Sequence, residues 1–404
     1  WERCFRRKKL IPDPLLSQIF EDYENYKETR LEDRYYTSDA VLKLVDELKR
    51  DSLFEVEMAG KSVEGREVYL IKVGKGNIKV FSWAQMHGDE PTANAALFDF
   101  INFLKNPGKY QKVRDDILEN LTVWIMPLVN PDGAERFTRE NAQGVDLNRD
   151  ALELATPEAK ILMNSFHSIK PDFAFNLHDQ GRAHAAGKSG KPATISFLAP
   201  PPDDINSMPF NRQIAKLLIS NLVDHLSGVI PGSIGRYSEE YEMRAFGDSF
   251  QGLGAATILI ESGGYQDDIK RSFQRSLNFF LFIVAFRSII SREYQKYNTL
   301  LYDTLPENRK ELYDLLIRNI MVDGEVVSIG INRIEKPAKS GRPVEIIGIV
   351  KRIGGLKNRK GYTEFDGSGL STSKRISNGC RANFELLSGD AKAFGVVNGV
   401  LTQK

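Results

Sequence analysis

The chain has 404 residues, 41% of them hydrophobic and 27% charged, enough to bury one large core and leave room for a second, smaller unit. Its 55 basic and 54 acidic side chains give a formal net charge of +1, which removes the electrostatic case for nucleic acid or an anionic membrane surface as partner. Two cysteines, Cys4 and Cys380, exclude a disulfide framework, and sequence alone leaves open whether these two approach closely enough to pair.

In chain order, Arg3, Arg6, Arg7, Lys8 and Lys9 form a short basic cluster, expected to be a solvated tail on an N-terminal helical extension over residues 1–36. Ser38 is the expected cap of a helix in which Val41, Leu44, Val45 and Leu48 recur at helical spacing. Leu53 to Ala59 and Arg66 to Val73 read as the two strands of a hairpin around Lys61 to Gly65. A strand-like run from Lys79 to Met86 ends at His87-Gly88-Asp89-Glu90, after which Pro91 fits the first turn of a helix, where its missing N–H costs nothing. Leu121 to Pro127 is a further strand, followed by a turn at Asn130-Pro131-Asp132-Gly133.

Thr156 caps, and Pro157 starts, an expected helix running from Glu158 to Ser168. The strand Phe173 to Leu177 delivers His178. Another helix carries Ile214, Leu217, Leu218 and Leu222 as its apolar stripe. Ala256 to Ile260 ends in Glu261, and a long helix is expected from Ile269 to Tyr297. Its most apolar stretch, Phe279 to Phe286, falls between Arg275 and Arg287 and is too short to span a bilayer, which takes about 20 residues, so it reads as a buried helix. The alternation predicts an α/β fold, a mixed sheet with helices on both faces. Near Thr304-Leu305-Pro306 the pattern changes. Glu325 to Ile334 and Pro343 to Val350 are strand-like, with no helical stripe after about residue 318, so residues 305–404 are expected to form a small β-rich C-terminal domain after a catalytic domain over 37–304.

Two imidazoles and one carboxylate at strand ends suit a catalytic zinc site, which typically takes three protein ligands at about 2.0 to 2.2 Å and keeps a fourth position open. His87, Glu90 and His178 fill those places: the close pair lies on a strand-to-helix turn, and the distant third ties two strands together through the metal. In open α/β sheets ligands bind beyond the carboxyl ends of strands, where His87, His178 and Glu261 all fall. His167 and His225 are expected on helices, partly buried and without a metal role. His184, in a Gly/Ala/Lys-rich stretch, is expected as a solvated loop residue.

Between and after these ligands stand Asn130 to Gly133, then Arg139 to Arg149 with its Asp146-Leu147-Asn148-Arg149 run, then Ala256 to Gly264 with Glu261. In this order, over residues 37 to 300, they resemble the zinc metallocarboxypeptidases of the carboxypeptidase A type. The resemblance implies a Zn2+-dependent hydrolase that removes the C-terminal residue of a peptide, with Glu261 as general base and Arg139 stabilising the developing oxyanion. It implies that Asn148 and Arg149 grip the substrate's free carboxylate, and that Asp146 hydrogen-bonds the second nitrogen of His87 and fixes its tautomer. A substrate-contacting tyrosine is expected about twenty residues before the base, where spacing does not choose between Tyr237 and Tyr241. Asp248 falls near the floor of the specificity pocket; Arg244 either points into that pocket, which would favour an acidic side chain, or bridges Glu239, Glu240 or Glu242, the alternative preferred here.

Competing readings are an amidohydrolase of the aspartoacylase and succinylglutamate desuccinylase type, acting on N-acyl amino acids, and a peptide-binding relative without catalysis. Asn130 to Gly133, Arg139 and the spacing to Glu261 favour the carboxypeptidase. The expected partner is a peptide or peptide-like substrate with a free C-terminal carboxylate. Neither nucleic acid nor a membrane span is expected, and the oligomeric state, the role of the C-terminal domain and the substrate's side chain stay open. The chain begins at Trp1 rather than Met and opens without a signal-like segment, which leaves the compartment open between cytoplasm and periplasm or exterior.

Overall fold

The computed structural model describes residues 11–336 and 344–403; the basic cluster at Arg3 to Lys9 and Cys4 lie outside them. Among the described residues nine strands precede residue 263: β1 Phe54–Lys61, β2 Glu67–Gly74, β3 Ile78–Ala84, β4 Leu121–Met126, β5 Phe173–Asp179, β6 His184–Ala186, β7 Ile195–Leu198, β8 Ile234–Arg236 and β9 Ala256–Ser262. All but β6 form one eight-stranded mixed sheet in the order β1-β2-β4-β3-β5-β9-β7-β8. Its centre is parallel, β4 to β3 to β5 to β9, and every residue of β5 and β9 is buried. That burial on both faces is why these strands read as unbroken apolar runs instead of alternating ones.

Strand β3 shows how the two faces divide. Val80 and Ala84 enter a core built with the helices Thr92–Lys105, Phe210–Ser227 and Ser272–Ser291. Phe81 and Trp83 point the other way, against Phe166 of the helix Pro157–Ile169 and Phe250 of the helix Phe246–Gly252. Helices on both faces of a mixed sheet are thus observed as the sequence implied. The long helix is shorter than expected: it runs Ser272–Ser291, bounded by left-handed Arg271 and Arg292, and a separate 3₁₀ turn covers Glu293–Lys296. By length and composition it is apolar enough to cross a membrane, yet 89% of its most apolar window is buried inside the protein.

Part of that cover comes from the N-terminal segment, whose described residues form the α-helix Pro14–Glu21 and the 3₁₀ turns Tyr23–Asn25 and Thr29–Leu31. Phe20 packs on Phe280 and Tyr26 on Phe279, with ring centroids 5.1 and 5.7 Å apart. Below them Asp99 accepts hydrogen bonds from Arg275 Nε at 2.7 Å, from Tyr23 Oη at 2.8 Å and from Glu28 N at 2.7 Å. Arg275 also donates to the Glu28 and Leu31 carbonyls.

Two local expectations are corrected. Thr37, not Ser38, caps the helix Ser38–Leu48, because the Thr37 hydroxyl accepts from Ala40 N while the Ser38 hydroxyl donates to Glu135 at 2.8 Å. Asn130 to Gly133 is the start of a short helix, Pro131–Arg136, rather than a free turn: Asn130 Oδ1 accepts from Gly133 N at 2.8 Å.

After the helix Leu300–Asp303 the chain runs back along the first sheet. Strand β10, Asn308–Lys310, pairs with β6 as a two-stranded ribbon. The remaining strands are β11 Leu312–Val322, β12 Glu325–Lys336, β13 Glu345–Ile353, β14 Lys360–Asp366, β15 Ser371–Thr372, β16 Phe384–Ser388, β17 Ala391–Val397 and β18 Val400–Gln403, joined in a second eight-stranded sheet. It wraps its own core, centred on Ile317, Ile329, Ile331 and Leu386. A C-terminal β-rich region is therefore present.

Candidate metal centre and substrate cavity

Register places the first two functional groups. Strands β5 and β9 are parallel neighbours with His178 directly opposite Glu261, so residues 83 positions apart emerge side by side at the carboxyl edge of the sheet. On the other side of β5, strand β3 ends at Ala84, and Gln85 takes a left-handed conformation (φ 51°) that turns the chain into the loop 85–90. Asn130 holds this loop by donating from Nδ2 to Met86 O at 3.1 Å, and Asn130 N donates to Gln85 O. Gly88 lies so close to the helix Pro131–Arg136 that a Cβ there would fall 1.9 Å from the carbonyl carbon of Gly133. Close backbone approach, rather than turn flexibility, is what demands glycine between His87 and Glu90.

The result is a buried trio. His87 Nδ1 and His178 Nδ1 each lie 2.8 Å from an oxygen of the same Glu90 carboxylate. One ligand atom from each of the three falls within 4.8 Å of the others. Asp146 Oδ1 is 3.0 Å from His87 Nε2. An Nε2–H donated to that carboxylate leaves the Nδ1 lone pair directed at the trio, the tautomer a metal ligand requires. Burial pulls the His87 imidazole down, but the Glu90 and Asp146 carboxylates outweigh it and push it up to about 9. For His178 burial wins, and the imidazole falls below its ordinary value.

Arg139 completes this corner. Its Nε donates to Asp146 Oδ2 at 3.0 Å, and its Nη1 lies 3.4 Å from Glu90 Oε1. Burial raises the Asp146 carboxyl, but the neighbouring His87 and Arg139 outweigh that and hold it below the usual range. Glu261 has the opposite environment. It is buried, its Oε2 has no hydrogen-bond partner, and burial followed by the Glu90 charge pushes it well above the usual carboxylate range.

His87, Glu90, His178, Arg139 and Glu261 line a cavity of about 530 Å³, within the range for a small-ligand site. Asn148 and Arg149 stand on its wall. Asn148 Oδ1 is engaged by Phe246 N at 3.0 Å, and Arg149 Nε is 3.4 Å from Glu242 Oε2. Tyr237 and Tyr241 both line the cavity, and their surroundings separate them. The Glu261 charge is the foremost cause raising the Tyr237 phenol, whereas Tyr241 is raised by burial and then by Asp248, Asp204 and Asp203. Asp248 is a lining carboxyl that accepts from Glu242 N at 3.1 Å, and burial pushes it up to about 7. Arg244 pairs with Glu242 through two hydrogen bonds, at 2.8 and 2.6 Å, as the bridging alternative anticipated.

The histidines outside the trio divide differently from expectation. His184 is in strand β6, not a solvated loop, and lines the cavity with Nδ1 2.9 Å from Gly181 O. His167 is exposed on its helix rather than partly buried, while His225, expected partly buried, is buried. Sequence reasoning also missed Gln180, which lines the cavity and accepts at 2.7 Å from Asn308 at the head of β10.

The trio fits a divalent cation. Two imidazole nitrogens and a carboxylate oxygen converge beside an open cavity, and Glu261, its buried Oε2 without a hydrogen-bond partner, feels the Glu90 charge, a repulsion that His87 and Arg139 offset only in part. A divalent ion supplies the remainder, and an N₂O donor set with an open side is the arrangement of a catalytic rather than structural zinc.

Comparison with known proteins points the same way. The zinc carboxypeptidase family, peptidase M14, matches residues 41–218, a stretch that contains the trio, Arg139, Asp146, Asn148 and Arg149 but ends before Tyr237 and Glu261. Carboxypeptidase SOL1 of Arabidopsis thaliana is 31% identical over 182 residues, covering 41% of this chain and 37% of that protein. Carboxypeptidase B of Astacus astacus is 36% identical over 111 residues, 26% of this chain and 35% of that protein. The chain thus matches little more than a third of either relative's length. Among solved structures, carboxypeptidase A of Helicoverpa armigera superposes with a TM-score of 0.51 at 16% identity, covering 70% of this chain and 80% of that one. A metallo-carboxypeptidase of Burkholderia cenocepacia gives 0.51 at 18% identity over 64% and 70%. At these identities the structures share a fold. Matched motif, curated relatives and common architecture coincide on one part of the molecule: residues 41–218 are similar to the zinc carboxypeptidase domain, and the surrounding sheet and helices share the carboxypeptidase fold.

Proposed function

We propose that this protein is a zinc-dependent carboxypeptidase that hydrolyses the last peptide bond of a substrate with a free C-terminal carboxylate. The observation that carries the proposal is the convergence of His87, Glu90 and His178 with Glu261 and Arg149 on one cavity. Bound zinc supplies Lewis acidity and brings the pKa of a coordinated water toward about 7. The protein's residues do the rest. Asp146 holds the His87 tautomer. Glu261 takes the proton from the attacking water and returns it to the leaving amine nitrogen. Arg139 donates to the oxygen that gains charge. Arg149 grips the terminal carboxylate through its guanidinium fork, with the Asn148 amide beside it. Tyr237, whose environment is set by Glu261, is the tyrosine assigned to the substrate, in preference to Tyr241.

The test is a library of peptides differing in their last residue, incubated with the zinc-loaded protein. Release of free C-terminal amino acids is expected. Release of acetate or succinate from N-acyl amino acids, with peptides untouched, would replace the proposal with an amidohydrolase. Peptide binding without turnover of either substrate class would favour the binding module. For Arg149→Ala, kcat/KM on free-acid peptides is expected to fall about 10- to 100-fold, the weight of one charged hydrogen-bonding contact. Amidated peptides, assayed in parallel, should change far less, and equal losses on both would remove Arg149 from carboxylate recognition.

A further inference from the structure

We propose that Arg34 is a positioning residue for the metal ligands, held in place by Glu335 of the C-terminal sheet, so that the metal centre depends on a part of the chain that contributes none of its ligands. The inference rests on the metal-centre reading above.

The geometry is a buried clamp. Arg34 is 7% exposed. Its Nη1 donates to Asp179 Oδ2 at 2.8 Å and to Thr92 Oγ1 at 2.9 Å, and Thr92 Oγ1 itself donates to Asp179 Oδ2 at 2.7 Å. Its Nη2 reaches the carbonyl of Asp89 at 3.4 Å. Asp89 and Thr92 flank the ligand Glu90, and Asp179 follows the ligand His178. The Asp179 backbone N–H also donates to Glu90 Oε2 at 3.2 Å. A single guanidinium therefore ties the loop that presents His87 and Glu90 to the strand end that presents His178. Planar, fixed donors suit this task better than an ammonium would.

The other edge of that guanidinium faces the C-terminal sheet. Arg34 Nε and Nη2 donate to Glu335 at 3.1 and 3.0 Å across a separation of 301 residues. Nothing about carrying a sheet requires a carboxylate at this position, and a charge is costly to bury unless it is paired. The same sheet grips the following residues as well: Arg182 donates to Asp314 at 2.8 Å and stacks on Tyr362, its guanidinium carbon 4.3 Å from the ring centroid. These contacts converge on residues 179–182, directly after His178.

The test uses the full chain. Glu335→Gln removes the charge and keeps the shape. Zinc affinity is read by chelator competition, ligand geometry by the visible spectrum of the cobalt-substituted protein, and folding by Tm. Zinc affinity is expected to weaken about 10-fold, the lower end for partners of metal ligands, with a shifted cobalt spectrum and a lower kcat at nearly constant KM. Glu335→Asp keeps the charge one methylene farther back. It is expected to recover part of the affinity, and it is read in place of Glu335→Gln if that variant does not fold. Zinc affinity and a cobalt spectrum matching wild type, even at a lower Tm, would overturn the proposal and leave the pair as a strut between two sheets. A wild-type chain that takes up neither zinc nor cobalt would overturn the metal centre itself, and this proposal with it.

Discussion

Glu261→Gln is expected to lower the rate of peptide hydrolysis by about 10²- to 10⁴-fold, the usual contribution of a positioned acid–base group, while zinc content stays at one ion per chain. The amide keeps the shape of the side chain at the end of β9, so the neighbouring β5 and its His178 have no reason to move. What it loses is the capacity to take a proton. Because Glu261 is outside the trio that would hold the ion, metal retention separates a lost base from a lost metal. Kinetics on a free-acid peptide together with a metal assay on the same sample check both halves. A variant that keeps more than a tenth of wild-type turnover would show that the proton goes elsewhere.

Arg275→Met is expected to cost about 3 to 5 kcal/mol of folding stability, the penalty for stranding one half of a buried ion pair. Asp99 is fully buried and Arg275 nearly so. Among the described residues, every donor on Asp99 comes from Arg275 or from the N-terminal segment, through Tyr23 and Glu28. Removing the guanidinium leaves a carboxylate in the core and also frees the Glu28 and Leu31 carbonyls that Arg275 satisfied. Urea denaturation followed by far-ultraviolet dichroism measures the loss. A shift below about 1 kcal/mol, ordinary for a surface change, would mean that water reaches Asp99. The metal ligands lie on other elements, so at low temperature the folded fraction should still bind zinc.

Much of the site was legible because its residues sit where local patterns change. Strand runs ending at His87, His178 and Glu261 mark the carboxyl edge of a sheet, and a proline after Glu90 marks the helix that follows. Thr156 and Pro157 announced their helix through chemistry that is complete within a few residues. The illegible parts depend on partners remote in sequence. Nothing near Arg34 signals Asp179 or Glu335, and Gln180 acquires its partner from Asn308, 128 positions away. Ser38 and Thr37 are equally good caps by type, and only the position of Glu135 decided between them. Tyr237 and Tyr241 were inseparable by counting and became distinct once β8 and the following loop set one of them beside Glu261.

Strand β9 comes last in sequence among the strands of the first sheet, yet it sits between β5 and β7. A nascent chain on the ribosome therefore holds two incomplete sheets with open edges until residue 262 has emerged, and open edges invite pairing with other chains. The strand that closes this gap also delivers Glu261. Any shorter translation product lacks the proposed base, so the proposed activity would begin only after the sheet has closed, once the chain is least vulnerable to attack.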